Sequence, residues 1–240
     1  MYRFYTLNSG FKDAYNHLNV AINNVVAVGH TALDYFYLNK NSFNPPRKQK
    51  MVIYAPHFSI MHPAVKNKFY YSTFNYNGQQ ILEFAKKHPE IRWVFKPHPN
   101  LIESLKKMNV TQNTIADYWQ QWREIGIICE TSDYYKLFLE SDVMITDCAS
   151  FLTEYFVTGK PLIHLINPVS INWPIQAMCP MFDTFYKVHD NKELVEVFEK
   201  IIIKNIDDNF CLRQKALSKL NFSNQYAAEN IMSDLISSIY

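Results

Sequence analysis

Apolar residues in this chain fall into short runs separated by longer amphipathic stretches. Val25–Val28, Met51–Ala55, Ile91–Phe95, Ile127–Cys129, Val143–Thr146 and the run opening at Leu162 are brief and bounded by Gly, Pro, Asp, Ser or charged residues. Such runs predict buried strands. Between them the spacing becomes helical. Ile81, Leu82, Phe84 and Ala85 recur on one face of residues 79–88, and helices are expected at 101–107 and 114–125. In the latter, Trp119 and Trp122 lie three apart on one face. A helix over 133–140 has Asp or Ser as its cap, and another starts near Ser150. Beyond Pro180, helices are expected at 192–204, 210–217 and 223–239. Alternating strands and helices predict an α/β fold with a doubly wound, mainly parallel sheet and C-terminal helices.

The domain organisation follows from the same pattern. Residues 1–24 read as a weakly patterned lead-in or linker remnant, helical over 11–18. Residues 25–205 form the sheet domain, and 206–240 add the last helices. A polar loop with Pro45-Pro46 and a basic cluster at 47–50 lies inside the domain.

Composition narrows the function by exclusion. The chain has 240 residues, 48% of them hydrophobic, enough for one substantial core or two small ones. A net charge of +2 gives no electrostatic footprint for nucleic acid. The four cysteines (Cys129, Cys148, Cys179, Cys211) form no CxxC pair, which fits reduced thiols in a cytosolic protein rather than a zinc or redox site. Residues 1–20 contain no apolar signal-type region, and no run reaches the roughly 20 apolar residues of a membrane helix. The expectation is a cytoplasmic protein, at most peripheral on the inner face of a membrane.

Candidate chemistry collects where strands end. Open α/β sheets bind ligands outside the carboxyl ends of their strands. After Val143–Thr146 comes Asp147-Cys148-Ala149-Ser150, a polar turn at a helix start. Free backbone N–H groups and the Ser150 hydroxyl there favour a phosphate, with Thr146 and Asp147 beside it; capping alone also explains such a serine. Glu154 falls about one helical turn later and could accept the hydroxyls of a ribose. Upstream, Lys96-Pro97-His98-Pro99 ends another strand. Two prolines fix that backbone, so His98 is either a rigid turn residue or a group that binds a diphosphate and protonates a leaving group. His57 and Ser59 after Met51–Ala55, and His30 after Gly29, are possible rim residues. His57 and His62 have no clear third ligand, so no metal is expected. No GxGxxG supports a dinucleotide.

Taken in order, Gly29-His30…Asp34, Tyr54-Ala55-Pro56, Lys96-Pro97-His98-Pro99, Ser141-Asp142, Ile145-Thr146-Asp147, Ser150 and Gly159-Lys160-Pro161 resemble the CDP-glycerol glycerophosphotransferase family of teichoic acid and capsular polymer synthesis. The resemblance covers about residues 25–205 and implies the C-terminal, donor-binding half of a glycosyltransferase-B-type fold with Rossmann-like halves. It places the family's HP histidine on His98 and its donor-phosphate serine on Ser150. It implies transfer of glycerol phosphate or another polyol phosphate from a CDP-linked donor to an acceptor hydroxyl, CMP leaving. Catalysis would rest on positioning and charge neutralisation, with no resident metal or cofactor.

Two departures stand out. The family's turn usually reads Thr-Asp-Tyr-Ser-Ser, whereas Cys148 and Ala149 occupy its third and fourth places here. The family's Trp-His-Gly motif, which carries the favoured general base, does not occur in this sequence. The resemblance therefore implies a donor-binding half that works with a partner chain or in a homo-oligomer, a truncated enzyme, or a variant with its own acceptor site. The acceptor would be a polysaccharide or lipid-linked hydroxyl. A nucleotide-sugar glycosyltransferase and a non-catalytic nucleotide-binding module are the alternatives.

Overall fold

The computed structural model describes residues 3–6, 22–39, 49–61, 70–170, 180–219 and 226–238. Along the chain come β1 (Phe4–Thr6), β2 (Val25–Ala27), α1 (Thr31–Asn39), β3 (Met51–Ala55), α2 (Phe74–Lys87), β4 (Arg92–Phe95), α3 (Leu101–Lys107), α4 (Gln112–Ile125) and β5 (Ile127–Ile128). Then follow α5 (Tyr135–Glu140), β6 (Val143–Thr146), α6 (Ala149–Phe156), β7 (Leu162–Leu165), β8 (Tyr186–Val188), α7 (Asn191–Phe198), α8 (Phe210–Lys219) and α9 (Ala227–Ser237). α7 continues into a π-helical turn over Glu199–Ile203.

The main sheet has six strands in the order β5-β4-β3-β6-β7-β8, and every neighbouring pair is parallel. Parallel strands need cover on both faces, and β3 shows how the sequence supplies it. Val52 and Tyr54 point into one core with residues of α2, α3, α4 and α7. Met51, Ile53 and Ala55 point into the other with residues of α1, α5, α6 and α8. All five are 0% exposed. Truncating Ile53 to Ala would leave a cavity costing about 2–5 kcal/mol.

The doubly wound expectation holds, and the chain path creates a switch point. From central β3 the chain winds outward to β4 and β5, then crosses back to β6 and winds the other way. Connections leave β3 and β6 toward opposite faces, which opens a crevice at their carboxyl ends.

Two devices hold the far side of the sheet. Gly159 takes a φ of 75°, which glycine adopts without steric cost. The next residue, Lys160, donates its ammonium to the carbonyls of Phe138, Leu139 and Ser141 and so closes the carboxyl end of α5. Arg213, 1% exposed, pairs with Asp207 and donates to the Gly159 carbonyl at 2.8 Å. The Gly159-Lys160-Pro161 segment is thus a structural joint.

Several elements differ from the sequence reading. The strand at Val25 forms but does not enter the main sheet. It pairs in parallel with Phe4–Thr6, in a sheet of its own. This sheet goes with α9: Asn230 donates to the Val28 carbonyl, Tyr5 and Arg3 reach Asp234, and Asp34 of α1 accepts the Ala227 and Ala228 amides. α1 and β8 were not anticipated. β8 is three residues long with an exposed Lys187 in its middle, too short to show alternation. The cap expected on the 133–140 helix is absent; Tyr134 precedes α5 without a side-chain cap bond. α6 likewise starts at Ala149 with Cys148 as its N-cap residue, so Ser150 lies inside the helix. The 11–18 helix, His62, Cys179 and most of the 39–50 loop lie outside the described residues.

Candidate active site

Three adjacent strands, β4, β3 and β6, end on one rim and carry His98, His57 and Ser150 respectively. Strands lie about 4.8 Å apart, so β4 and β6 stand roughly 10 Å from each other. Continuous contacts bridge that interval. The His57 and His98 rings are 5.3 Å apart between centroids, and the His57 amide donates to the Asp147 carboxylate at 2.5 Å.

Asp147 is the knot of this rim. Its other oxygen accepts from the Thr73 amide at 2.5 Å and the Thr73 hydroxyl at 2.9 Å. One carboxylate thereby ties the loop after β3 and the start of α2 to the turn after β6. Burial pushes its pKa up to about 6, against the pull of those hydrogen bonds. Thr146 is equally enclosed. Its hydroxyl donates to the Ala55 carbonyl at 2.6 Å and accepts the Cys148 amide at 3.0 Å. Both residues face the interior; neither presents a free donor to a ligand.

The histidines are held differently. The Ser59 amide donates to His57 Nδ1 at 3.1 Å, and the Ser59 hydroxyl lies 2.7 Å from the same nitrogen while accepting from the Tyr71 amide. The Asn100 amide donates to His98 Nδ1 at 3.1 Å. A backbone N–H can only donate, so both neutral rings carry their proton on Nε2. Burial, with the neighbouring His98, lowers the His57 pKa to about 4. Burial and the Lys96 charge lower that of His98. Phe58 packs on both rings, at 4.5 and 4.3 Å between centroids.

Lys96 and Glu154 form a second group, deeper and toward α5. The Lys96 ammonium donates to the Thr131 carbonyl at 3.1 Å and sits 4.7 Å above the Tyr134 ring. Burial lowers its pKa, while Cys129, Cys148 and Glu154 act in the other direction. Tyr134 donates to Glu154 at 2.8 Å, and burial raises the Glu154 pKa. Ser150 is exposed, its hydroxyl 3.3 Å from the Cys148 sulfur. His30 is exposed at the start of α1. Among the described residues, no group of three His, Cys, Asp or Glu side chains could hold a metal ion.

This rim sits inside a segment that matches a known family. Residues 28–167, more than half of the chain, match the model of CDP-Glycerol:Poly(glycerophosphate) glycerophosphotransferase. The chain belongs to this family. All three strand ends of the rim fall within the match. A curated relative is the minor teichoic acid biosynthesis protein GgaB of Bacillus subtilis (strain 168), 30% identical over 104 residues, which are 42% of this chain and 10% of GgaB. The wall teichoic acid polymerase TagF shares the fold at a TM-score of 0.51 and 16% identity, over 99% of this chain and 56% of that one. S. aureus MnaA solved with UDP shares it at 0.59 and 12%, over 99% and 60%. The chain thus spans a tenth of the curated relative and somewhat over half of these solved structures. The fold is the α/β class expected from the sequence, mostly parallel sheet with flanking helices.

Some members of this rim were not singled out from sequence. Thr73 completes the Asp147 knot from 74 residues away, and Tyr134 reaches Glu154 across 20. Neither lies in a motif. His164 on β7 is in register with Thr146; it is buried and its Nδ1 has no hydrogen-bond partner among the described residues. Its only sequence signal was a histidine inside an apolar strand.

Proposed function

We propose that this chain is the nucleotide-donor-binding part of a phosphotransferase in teichoic-acid-like polymer synthesis. It moves glycerol phosphate, or another polyol phosphate, from a CDP-linked donor to an acceptor hydroxyl, and CMP leaves. The observation that carries this reading is the convergence of His98, His57 and the Ser150 turn on one rim at the switch point, in a chain of this family. A helix N-terminus alone contributes only about 0.3–1 kcal/mol toward an anion, so imidazole donors are needed to hold a diphosphate. His98 Nε2–H donates to the phosphate that departs with CMP and neutralises charge as the P–O bond breaks. Lys96 adds positive potential from below, and Glu154 faces the ribose.

Both Nδ1 atoms already accept backbone N–H groups, so neither ring offers a lone pair to an incoming hydroxyl. The base and the polysaccharide or lipid-linked acceptor site therefore come from a further segment, a partner chain or a second copy. In this reading the reaction runs on the cytoplasmic side, at the membrane surface. No helix among the described residues is long and apolar enough to cross a membrane.

Calorimetry with CDP-glycerol, CDP-ribitol and UDP-sugars tests the reading. Binding of a cytidine diphosphate compound is expected, weakened at least tenfold by His98→Ala. Absence of heat with every nucleotide would overturn it. Heat with UDP-sugars alone would shift it to a nucleotide-sugar glycosyltransferase.

A further inference from the structure

We infer that His57 is a second diphosphate-binding residue, acting with His98 as a fixed pair of neutral N–H donors. The inference deepens the function proposed above and rests on it. Four features support it. Each ring is anchored through Nδ1 to the amide two residues ahead, Ser59 for His57 and Asn100 for His98. The anchoring leaves the proton on Nε2 in both. No protein atom among the described residues accepts from either Nε2, and both rings are half-buried rather than enclosed. Finally, the rings lie 5.3 Å apart with Phe58 packed on both. Each N–H···O bond spans about 2.9 Å, so rings this close can both address one diphosphate.

The backbone amide of His57 is itself fixed by Asp147, which sits three residues before Ser150. The pair and the Ser150 turn are consequently one rigid unit. Ser59 is a positioning residue here: its amide and hydroxyl both address Nδ1, and its hydroxyl is held by the Tyr71 amide. Lowered pKa values for both rings agree with donors that stay neutral near pH 7.

Gln places an amide N–H near the position of an imidazole Nε2–H, whereas Ala removes it. The expected result for the full chain is that wild type binds CDP more tightly than CMP. His57→Ala then lowers CDP affinity about tenfold or more and leaves CMP affinity nearly unchanged, and His57→Gln restores most of the loss. Equal losses for CDP and CMP, or no rescue by Gln, would show a structural role and overturn the inference while leaving the functional reading intact. Binding of neither nucleotide by wild type would overturn both. Nitrogen-15 NMR of the imidazoles gives a check without nucleotide: Nε2–H tautomers at pH 7 support the pair, and an Nδ1–H tautomer for His57 sinks it.

Discussion

The two sets of polar residues on the rim differ in which way they face. Asp147, Thr146 and Lys96 are at most 5% exposed and hydrogen-bond to groups inside the protein. His57 and His98 are half-buried and Ser150 is exposed, and no protein group accepts from either imidazole Nε2 among the described residues. Sequence spacing puts all six at strand ends, but the inward set builds the site and the outward set meets the ligand. The difference matters because a lost inward group leaves buried partners unsatisfied, whereas a lost outward group leaves them in water. The inward set should therefore govern stability and the outward set affinity.

Asp147→Ala attacks the comparison where it is strongest. It orphans the His57 and Thr73 amides, at about 3–5 kcal/mol in total. Calorimetric melting should show a large fall in Tm, with Asp147→Asn recovering part of it. A Tm within a degree or two of wild type would mean that the buried knot is not structural.

His164 sharpens the comparison by pH. Burial, then the charges of Lys187 and His189, lower its pKa to about 3, against 6.5 as the ordinary value. The unfolded chain binds this proton more readily, so the contribution to stability is whole above pH 6.5 and is lost as pH falls toward 3. The loss should amount to a few kcal/mol. Denaturant titrations of His164→Phe across this range should show a shallower acid loss than wild type; parallel curves would refute the assignment.

Ser150→Ala is the mildest test. The hydroxyl is exposed and does not cap α6, so stability should hold within about 0.5 kcal/mol. CDP affinity should drop a few-fold, measured by the same calorimetry as for His98. A large change in Tm would move Ser150 into the inward set.

Much of the fold was legible because its signals are local. Central strands such as Met51–Ala55 and Val143–Thr146 are apolar throughout and cannot be stable except between two helical layers. Their polar punctuation marked the ends where a ligand binds, and the ordered motifs marked the family. Short or composite elements were not legible. The Lys187 strand is too brief for a period to emerge, and the small sheet of Phe4–Thr6 with Val25–Ala27 draws its support from α9, some 200 residues downstream. Ser150 looked like a cap because serine commonly is one, yet the backbone enters the helix a residue earlier.

The sequence by itself determined the residue types available at the rim, the parallel α/β architecture and the family. Only the tertiary structure decided their roles. Which carboxylate is buried, which imidazole nitrogen keeps its proton and which hydroxyl stays open depend on partners such as Thr73, Tyr71 and Tyr134 on other elements. Hydrogen bonding and desolvation act across space, between groups that local spacing along the chain does not relate.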